Sequence, residues 1–381
     1  MSQGFRFAAF LSVVLGVWTL MHAYVVARVL SLPWASPAPV RRWVFAGAAF
    51  LWALYPAGRI LARLAPSAAA TVLEFTGAVW MGTLFLLLSA LLAADVLTGF
   101  GFFFRQAVPW VRGCALAVAG ILSIVALVQG LRAPAVATYE AALAGLPKAL
   151  DGTRVVQLSD LHLGTLLRHR WLEGVIGQVN DLKPDLVVVS GDLVDGYLPD
   201  VEPLVPLLRN LEAPLGVWAV AGNHEVYAGL QGSVRLMESA GFRVLRDASA
   251  EAAPGLVLAG VDDLTARRQF GQKGDPVGAA LAGIPEGAVI YLSHSPLQAE
   301  EAASLGAGLM LSGHTHDGQI WPFGLLVRMA YPRLAGRMIV GSTVLVVSRG
   351  TGTWGPPMRL FRRGEIGLIT LRSLSDQTLV R

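Results

Sequence analysis

The first 139 residues carry nine arginines, no lysine and only two acids, Glu74 and Asp95. So little charge leaves a long apolar stretch with few ways to fold. Four apolar runs lie in it, at about 7–30, 43–61, 71–97 and 108–131, each close to or above the roughly 20 residues a helix needs to cross a bilayer. Short segments bearing Pro, Gly or Arg separate them, at 31–42, 62–70 and 98–107. Trp43 and Trp110 stand at the starts of their runs, where interfacial aromatics sit. One such run could be a core helix, and the first could be a signal peptide. Four in succession predict a membrane domain over residues 1–132 with four transmembrane helices, the first one retained. An even number of spans puts the N-terminus and the remainder of the chain on one side. The arginines do not choose that side, because five (Arg28, Arg41, Arg42, Arg105, Arg112) face four (Arg6, Arg59, Arg63, Arg132). Glu74, Asp95 and His22 are expected as solvated residues rather than parts of an ion path. The single Cys114 excludes an intrachain disulfide.

The remaining residues, 140–381, differ in kind. They hold 21 basic and 24 acidic side chains, a net of −3, so the overall +4 arises in the apolar part and is no signature of a nucleic-acid partner. Residues 133–152, with Pro134, Pro147 and Gly152, read as a connector to a second domain over 153–381. Strand patterns are expected near 154–159, 186–190, 216–221, 243–245, 256–260, 288–293, 309–312, 338–340, 343–348 and 366–371. Helical spacing falls at 171–182, 201–211, 232–240 and 296–305. This alternation predicts an α/β domain.

Five of these strands end in a short polar motif. The motifs are Asp160-Leu161-His162, Gly191-Asp192, Gly222-Asn223-His224-Glu225, Ser293-His294 and Gly313-His314-Thr315-His316. They hold five of the seven histidines, leaving out His22 and His169. In open α/β sheets ligands gather at the carboxyl ends of strands, so five such motifs can converge. Alone, each residue has a plain explanation: a turn for Asn223, a helix cap for Asp160, a structural imidazole for any one His. Together they form the ligand set of a two-metal site. Two ions about 3.5–4 Å apart need a bridging ligand, and a carboxylate such as Asp192 bridges well. Oxygen and imidazole donors without thiolate favour Mn, Fe or Zn over a structural zinc site.

In that order the five motifs resemble the calcineurin-like metallophosphoesterase superfamily, over about residues 150–381. The segment 157–164 (Gln-Leu-Ser-Asp-Leu-His-Leu-Gly) and the later Ser348-Arg349-Gly350-Thr351-Gly352 are similar to its membrane-associated bacterial branch of YkuE- and YaeI-type phosphodiesterases. The resemblance implies a four-layer αββα sandwich preceded by the four-helix transmembrane region. It implies a first ion held by Asp160, His162, Asp192 and His316, and a second by Asp192, Asn223, His294 and His314. His224 would protonate the leaving oxygen as a metal-bridged hydroxide attacks phosphorus. Arg349 is expected either to contact the phosphate or to lie as a loop arginine on the surface. Glu225 is read as supporting or structural, Asp195 and Asp317 as neighbours able to orient ligands, and Asp262, Asp263 and His169 as surface positions.

The stretch 320–338 follows the last motif and interleaves Trp321, Phe323, Leu325, Leu326, Met329 and Tyr331 with Arg328, Arg333 and Arg337. It either packs on a sheet edge or forms an apolar lip for an acyl chain or the membrane surface. The expected function is a membrane-anchored phosphodiesterase or pyrophosphatase acting on a lipid-linked or cell-envelope phosphate ester. Its partners would be that substrate and membrane lipids, with no nucleic acid and no obligate protein partner. The expected location is a bacterial cell membrane, as a multi-pass protein. The competing reading is a non-catalytic phosphate-binding or signalling membrane protein that keeps the fold.

Overall fold

A computed structural model describes residues 3–374, with side-chain surroundings from residue 12 onward. The chain divides into two compact units, Met1–Leu131 with Gly355–Leu360, and Arg132–Trp354 with Phe361–Arg381.

The first unit is built from α1 (Gln3–Leu30), α2 (Ala38–Leu64), α3 (Ala68–Leu97) and α4 (Val108–Leu131). All four are long and apolar enough to cross a membrane. Ser67 caps α3 by accepting from the Ala70 amide at 3.2 Å. Trp18 and Val25 of α1 pack with Leu84 and Leu91 of α3.

Glu74, Asp95 and His22 are buried rather than solvated, contrary to expectation. Asp95 is fully buried. Its Oδ1 accepts from Arg112 Nε and Nη2 at 3.0 and 2.8 Å. Its Oδ2 accepts from Tyr24 at 2.7 Å and from Arg28. One carboxylate thus joins α1, α3 and α4. Glu74, also buried, pairs with Arg59 of α2 at 2.8 Å. His22 is buried, with Trp80 donating to its Nε2 at 2.9 Å and its Nδ1 2.8 Å from the Trp18 carbonyl. Position along one helix suggested exposure, but arginines from neighbouring helix ends reach the same level. A buried charge persists only when paired in this way.

The second unit contains β1 (Ala135–Leu143), β2 (Arg154–Leu158), α5 (His169–Asp181), β3 (Leu186–Val189), α6 (Val205–Leu208), β4 (Val217–Ala219) and α7 (Asn223–Ser239). It continues with β5 (Arg243–Val244), β6 (Ala248–Ala253), β7 (Leu256–Gly260), α8 (Leu264–Phe270), α9 (Pro276–Leu281), β8 (Ala288–Leu292), α10 (Ala299–Ser304) and β9 (Leu309–Ser312). It ends with α11 (Gly324–Ala330), β10 (Gly336–Val340), β11 (Thr343–Val347) and β12 (Glu365–Ser373). Two six-stranded sheets result, in the orders β1-β12-β2-β3-β4-β5 and β10-β11-β9-β8-β7-β6.

Strand periodicity explains the layering. Val187 and Val189 of β3 face a core shared with α5 and α7, whereas Leu186 and Val188 face a core shared with the other sheet. Likewise Ile290 and Leu292 of β8 face inward, and Val289 and Tyr291 pack against a core with α9 and α10. Strands apolar on both faces, alternating between two cores, give helix, sheet, sheet, helix.

Three local differences from the sequence reading have clear causes. Residues 135–143, inside the expected connector, form β1 and pair in parallel with β12 from Ala135↔Glu365 to Leu143↔Ser373. This alanine-rich segment has little strand preference of its own, and pairing with β12 supplies the conformation. The expected helix at 201–211 shrinks to α6 behind a 3-10 turn (Glu202–Leu204). Pro203 and Pro206 remove two amide donors there. The strand β6 (Ala-Ser-Ala-Glu-Ala-Ala) is held by antiparallel pairing with β7.

Replacing Asp95 by Ala strips the carboxylate from between Arg28 and Arg112. Breaking a buried pair costs roughly 3–5 kcal/mol, so the variant should unfold at a clearly lower temperature in detergent than Glu173→Ala, a change on the exposed face of α5. Equal midpoints would show that the carboxylate does not hold these helices together.

Candidate metal centre

Each polar motif begins where a strand stops. The loops after β2, β3 and β4 leave the first sheet, and those after β8 and β9 leave the second. Within each group the strands run parallel, so the loops leave the same sheet end. Backbone bonds lace the loops together. Asp160 N donates to Gly191 O at 3.0 Å, His162 N to Asp192 O at 3.0 Å, and Gly313 N to His294 O at 2.8 Å. Gln157 Nε2, from the first sheet, donates to Ser312 O of the second at 2.9 Å.

The side chains then converge on two neighbouring points. At one, Asp160, His162 and His316 offer ligand atoms within 4.8 Å of one another; at the other, so do Asp192, His294 and His314. His316 Nε2 lies 3.3 Å from Asp160 Oδ1 and 3.1 Å from His162 Nε2. His294 Nε2 lies 3.0 Å from Asp192 Oδ2 and 3.2 Å from His314 Nδ1. Asp192 Oδ2 also reaches within 3.8 Å of His162 Nε2, so this carboxylate borders both points. Asn223 opens α7, and its buried Oδ1 has no hydrogen-bond partner.

The partners of the outward-facing ring atoms fix which nitrogen faces inward. His294 Nδ1 sits 2.9 Å from the Ser190 carbonyl, which leaves Nε2 as an acceptor toward the centre. His314 Nε2 sits 2.9 Å from the Tyr331 hydroxyl, which leaves Nδ1. His162 Nδ1 faces Asp195 Oδ1 at 3.6 Å, which leaves Nε2. Orienting contacts of this kind are what metal-binding imidazoles use. Imidazole lone pairs and carboxylates packed this closely without water repel one another unless cations lie between them. The donor chemistry and the orphaned Asn223 oxygen therefore fit two divalent ions.

The backbone is strained to bring these atoms inward. Asp160, His162, Asp192, His314 and His316 all have positive φ, from 47° to 71°. Non-glycine residues rarely adopt that region, which costs on the order of 1–3 kcal/mol each and persists where the surroundings enforce it. Two glycines make room. A Cβ at Gly222 would lie 2.2 Å from Asp192 Oδ1, and one at Gly313 would lie 2.3 Å from Asp160 Oδ2.

The metal-free electrostatics follow from burial and crowding. Burial alone would raise the Asp160 carboxyl, but the imidazoles of His316 and His294 outweigh it and hold it well below the usual range. Burial, then the charge of His294, pushes His314 down to about 4. Burial also lowers His224. Glu225 rises to about 7 through burial and then the charge of Asp192.

Six of the seven expected ligands gather here, Asn223 stands at the start of α7, and His224 lies beside the cluster with its ring 4.7 Å from that of His162. Arg349 is differently engaged. Its guanidinium lies 3.5 Å from Asp317 and 3.3 Å from Glu365. Some functional neighbours were legible only in part. Asp195 Oδ1 stands between His162 Nδ1 and His224 Nδ1, at 3.6 and 3.8 Å. Glu225 accepts from the amides of Asp192, Val194 and Gly222 at 2.7 to 2.9 Å and so shapes two ligand loops at once. A Glu three residues after Gly222, able to accept from the Gly222 amide at the start of α7, was the available signal. Tyr331 gave no sign of its contact with His314. Asp263, expected on the surface, is buried, where it caps α8 and accepts from Ser295 at 2.9 Å. Asp262 is buried against Arg246. His169 is exposed beside Glu173.

Glu225→Ala leaves three buried amides unpartnered, at about 1–3 kcal/mol each. The variant should melt earlier and bind fewer than the wild-type complement of Mn ions, as metal analysis after gel filtration would read. Full metal loading would contradict the role assigned to this carboxylate.

Residues 153–318 match the calcineurin-like phosphoesterase family. A "transmembrane protein with metallophosphoesterase domain" from Danio rerio is 35% identical over 281 residues, covering 71% of this chain and 63% of that protein. The chain thus spans less than two thirds of that relative's length. A metallophosphoesterase of Aquifex aeolicus is 36% identical over 230 residues, 60% of this chain and 87% of its own. The metallophosphoesterase YkuE of Bacillus subtilis is 35% identical over 244 residues, 60% of this chain and 82% of its own. Identity at that level over most of the length of two relatives, together with a family match that spans all five polar loops, places the chain in the calcineurin-like metallophosphoesterase family.

Proposed function

We propose that the chain is a membrane-anchored, multi-pass phosphohydrolase of a bacterial cell membrane. It cleaves a phosphodiester or pyrophosphate in a lipid-linked or cell-envelope substrate with a pair of divalent ions, Mn, Fe or Zn. The observation that carries this reading is the convergence of six donor side chains on two adjacent points with His224 beside them. The four apolar helices support the anchoring. Asp160, His162, Asp192 and His316 would hold one ion, and Asp192, Asn223, His294 and His314 the other. The chemistry such a pair supplies is Lewis acidity, toward water as nucleophile and toward the phosphoryl oxygens.

The protein's own residues do the rest. Asp192, which would hold both ions, keeps its orientation because its Oδ1 accepts from the His224 amide at 2.9 Å and its own amide donates to Glu225. His224 is the proton donor to the leaving oxygen. Its Nδ1 faces the Asp195 carbonyl at 3.4 Å and carboxylate at 3.8 Å, so the opposite nitrogen is left to carry the proton that is transferred. Burial lowers its pKa, which makes the protonated ring a stronger acid toward the leaving oxygen. Arg349 is assigned to holding the loop after β11 through Asp317 and Glu365, next to the phosphate site it was expected to touch. A non-catalytic phosphate-binding protein would need none of the strained ligand backbone, and the retained His224–Asp195 arrangement favours turnover.

With purified full-length protein, hydrolysis of a simple phosphodiester should vanish on chelation and return with Mn. Asp192→Asn should abolish both turnover and metal loading. His224→Ala should cost roughly 10²–10⁴ in kcat on an alkyl ester, the usual worth of general acid catalysis, and far less on a p-nitrophenyl ester, whose leaving group needs no proton. Equal losses on both esters would remove His224 from the role of acid.

A further inference from the structure

The second unit has a one-sided surface close to the metal centre. Between Asp317 and Glu365 the second unit carries six arginines and no acid, in a half of the sequence that is net negative, while Arg359 in the same stretch is buried in the first unit. Within this stretch α11 buries none of its residues. Trp321, Phe323, Leu325, Leu326 and Met329 are all exposed, Met329 by 82%. Arg328 and Arg337 are exposed among them. Nothing in the unit's packing requires an apolar helix to stand in water, so the sheet-edge alternative holds for Ile320, Leu334 and the start of β10 but does not describe 321–329.

This surface is tied to the chemistry. Tyr331 closes α11, its amide donating to Val327 O at 2.8 Å. Its hydroxyl is 2.9 Å from His314 Nε2 and 3.1 Å from Thr265 Oγ1. Trp354, also exposed, stacks edge-on at 6.0 Å from His224 and is held by Gln319, which exchanges two hydrogen bonds with its backbone.

We propose that α11 and its flanking loops dock on an anionic lipid surface, the apolar side chains entering the headgroup boundary and the arginines meeting lipid phosphates. Two features select a bilayer as the occupant. The stretch holds no acid and exposes Arg328 and Arg337, complementary to anionic headgroups, and tryptophan with arginine is the pairing that membrane interfaces favour. A chain with four helices able to span a membrane also always has a bilayer at hand. Docking seats the helix whose last side chain orients His314, and it brings the mouth of the site to phosphate esters in the lipid layer. This deepens the proposed function by naming an amphiphilic phosphoester, drawn from the bilayer, as the substrate class; the docking itself holds whether or not hydrolysis does.

The test uses full-length protein with Cys114→Ala and a single new cysteine, Leu326→Cys or Met329→Cys, carrying an environment-sensitive fluorophore. It is reconstituted in phosphatidylglycerol vesicles with or without lipids bearing a quencher in the upper acyl chain. A label at Glu173→Cys on α5 is the control. The labels on α11 should emit to the blue of the control and lose fluorescence with quencher lipid, and that loss should shrink in pure phosphatidylcholine or with Arg328→Glu and Arg337→Glu together. Quenching no greater than the control's overturns the proposal. So does a label shielded from iodide yet blind to quencher lipid, the outcome expected if a second copy of the chain covers α11. Phosphodiester turnover measured on the same vesicles separates the two claims: a docked but inactive protein sinks the hydrolase reading alone, and an active but undocked one sinks this inference alone.

Discussion

Asp192 has two oxygens and more than two demands on them. One accepts the His224 amide; the other lies against His294 and near His162. Its amide is pinned by Glu225, its carbonyl by the His162 amide, and its backbone sits at φ 53°. Every polar loop touches this residue directly or through one contact, the last by way of His314 on His294. A carboxylate so placed borders both donor clusters, and only positive charge between them relieves the repulsion of the surrounding lone pairs.

The two-sheet architecture is what makes this possible. A single sheet presents its loops along one edge, and three motifs from β2, β3 and β4 would line up side by side. The second sheet brings His294, His314 and His316 against them. The inner core shared by both sheets, from Val155 and Val188 to Ile290 and Leu311, keeps the two loop sets in register. Rigid strands let the loops hold left-handed ligand residues that a free loop would relax.

Much of this was legible because it is local. Strands such as β3 and β8 announce themselves by continuous apolar runs, and the five motifs sit immediately after them. Four helices long and apolar enough to cross a membrane are visible in composition alone. What sequence could not show depends on residues far apart in the chain. Asp95 looks like a helix-end acid until Arg28, 67 residues earlier, meets it. The segment forming β1 resembles a linker because its pairing partner, β12, lies more than 200 residues away. The contact of Tyr331 with His314 depends on how α11 folds back, and Asp262-Asp263 looked like surface because two adjacent acids usually are. Arg349 lay in the right loop, but its partners Asp317 and Glu365 come from separate segments.

The central claim is that two cations share the Asp192 carboxylate. Anomalous scattering from crystals of Mn-loaded protein tests it most directly. The account predicts two peaks about 3.5–4 Å apart, one beside His162 and His316, the other beside His294 and His314, with Asp192 between them. A single peak, or two that do not share Asp192, would contradict it.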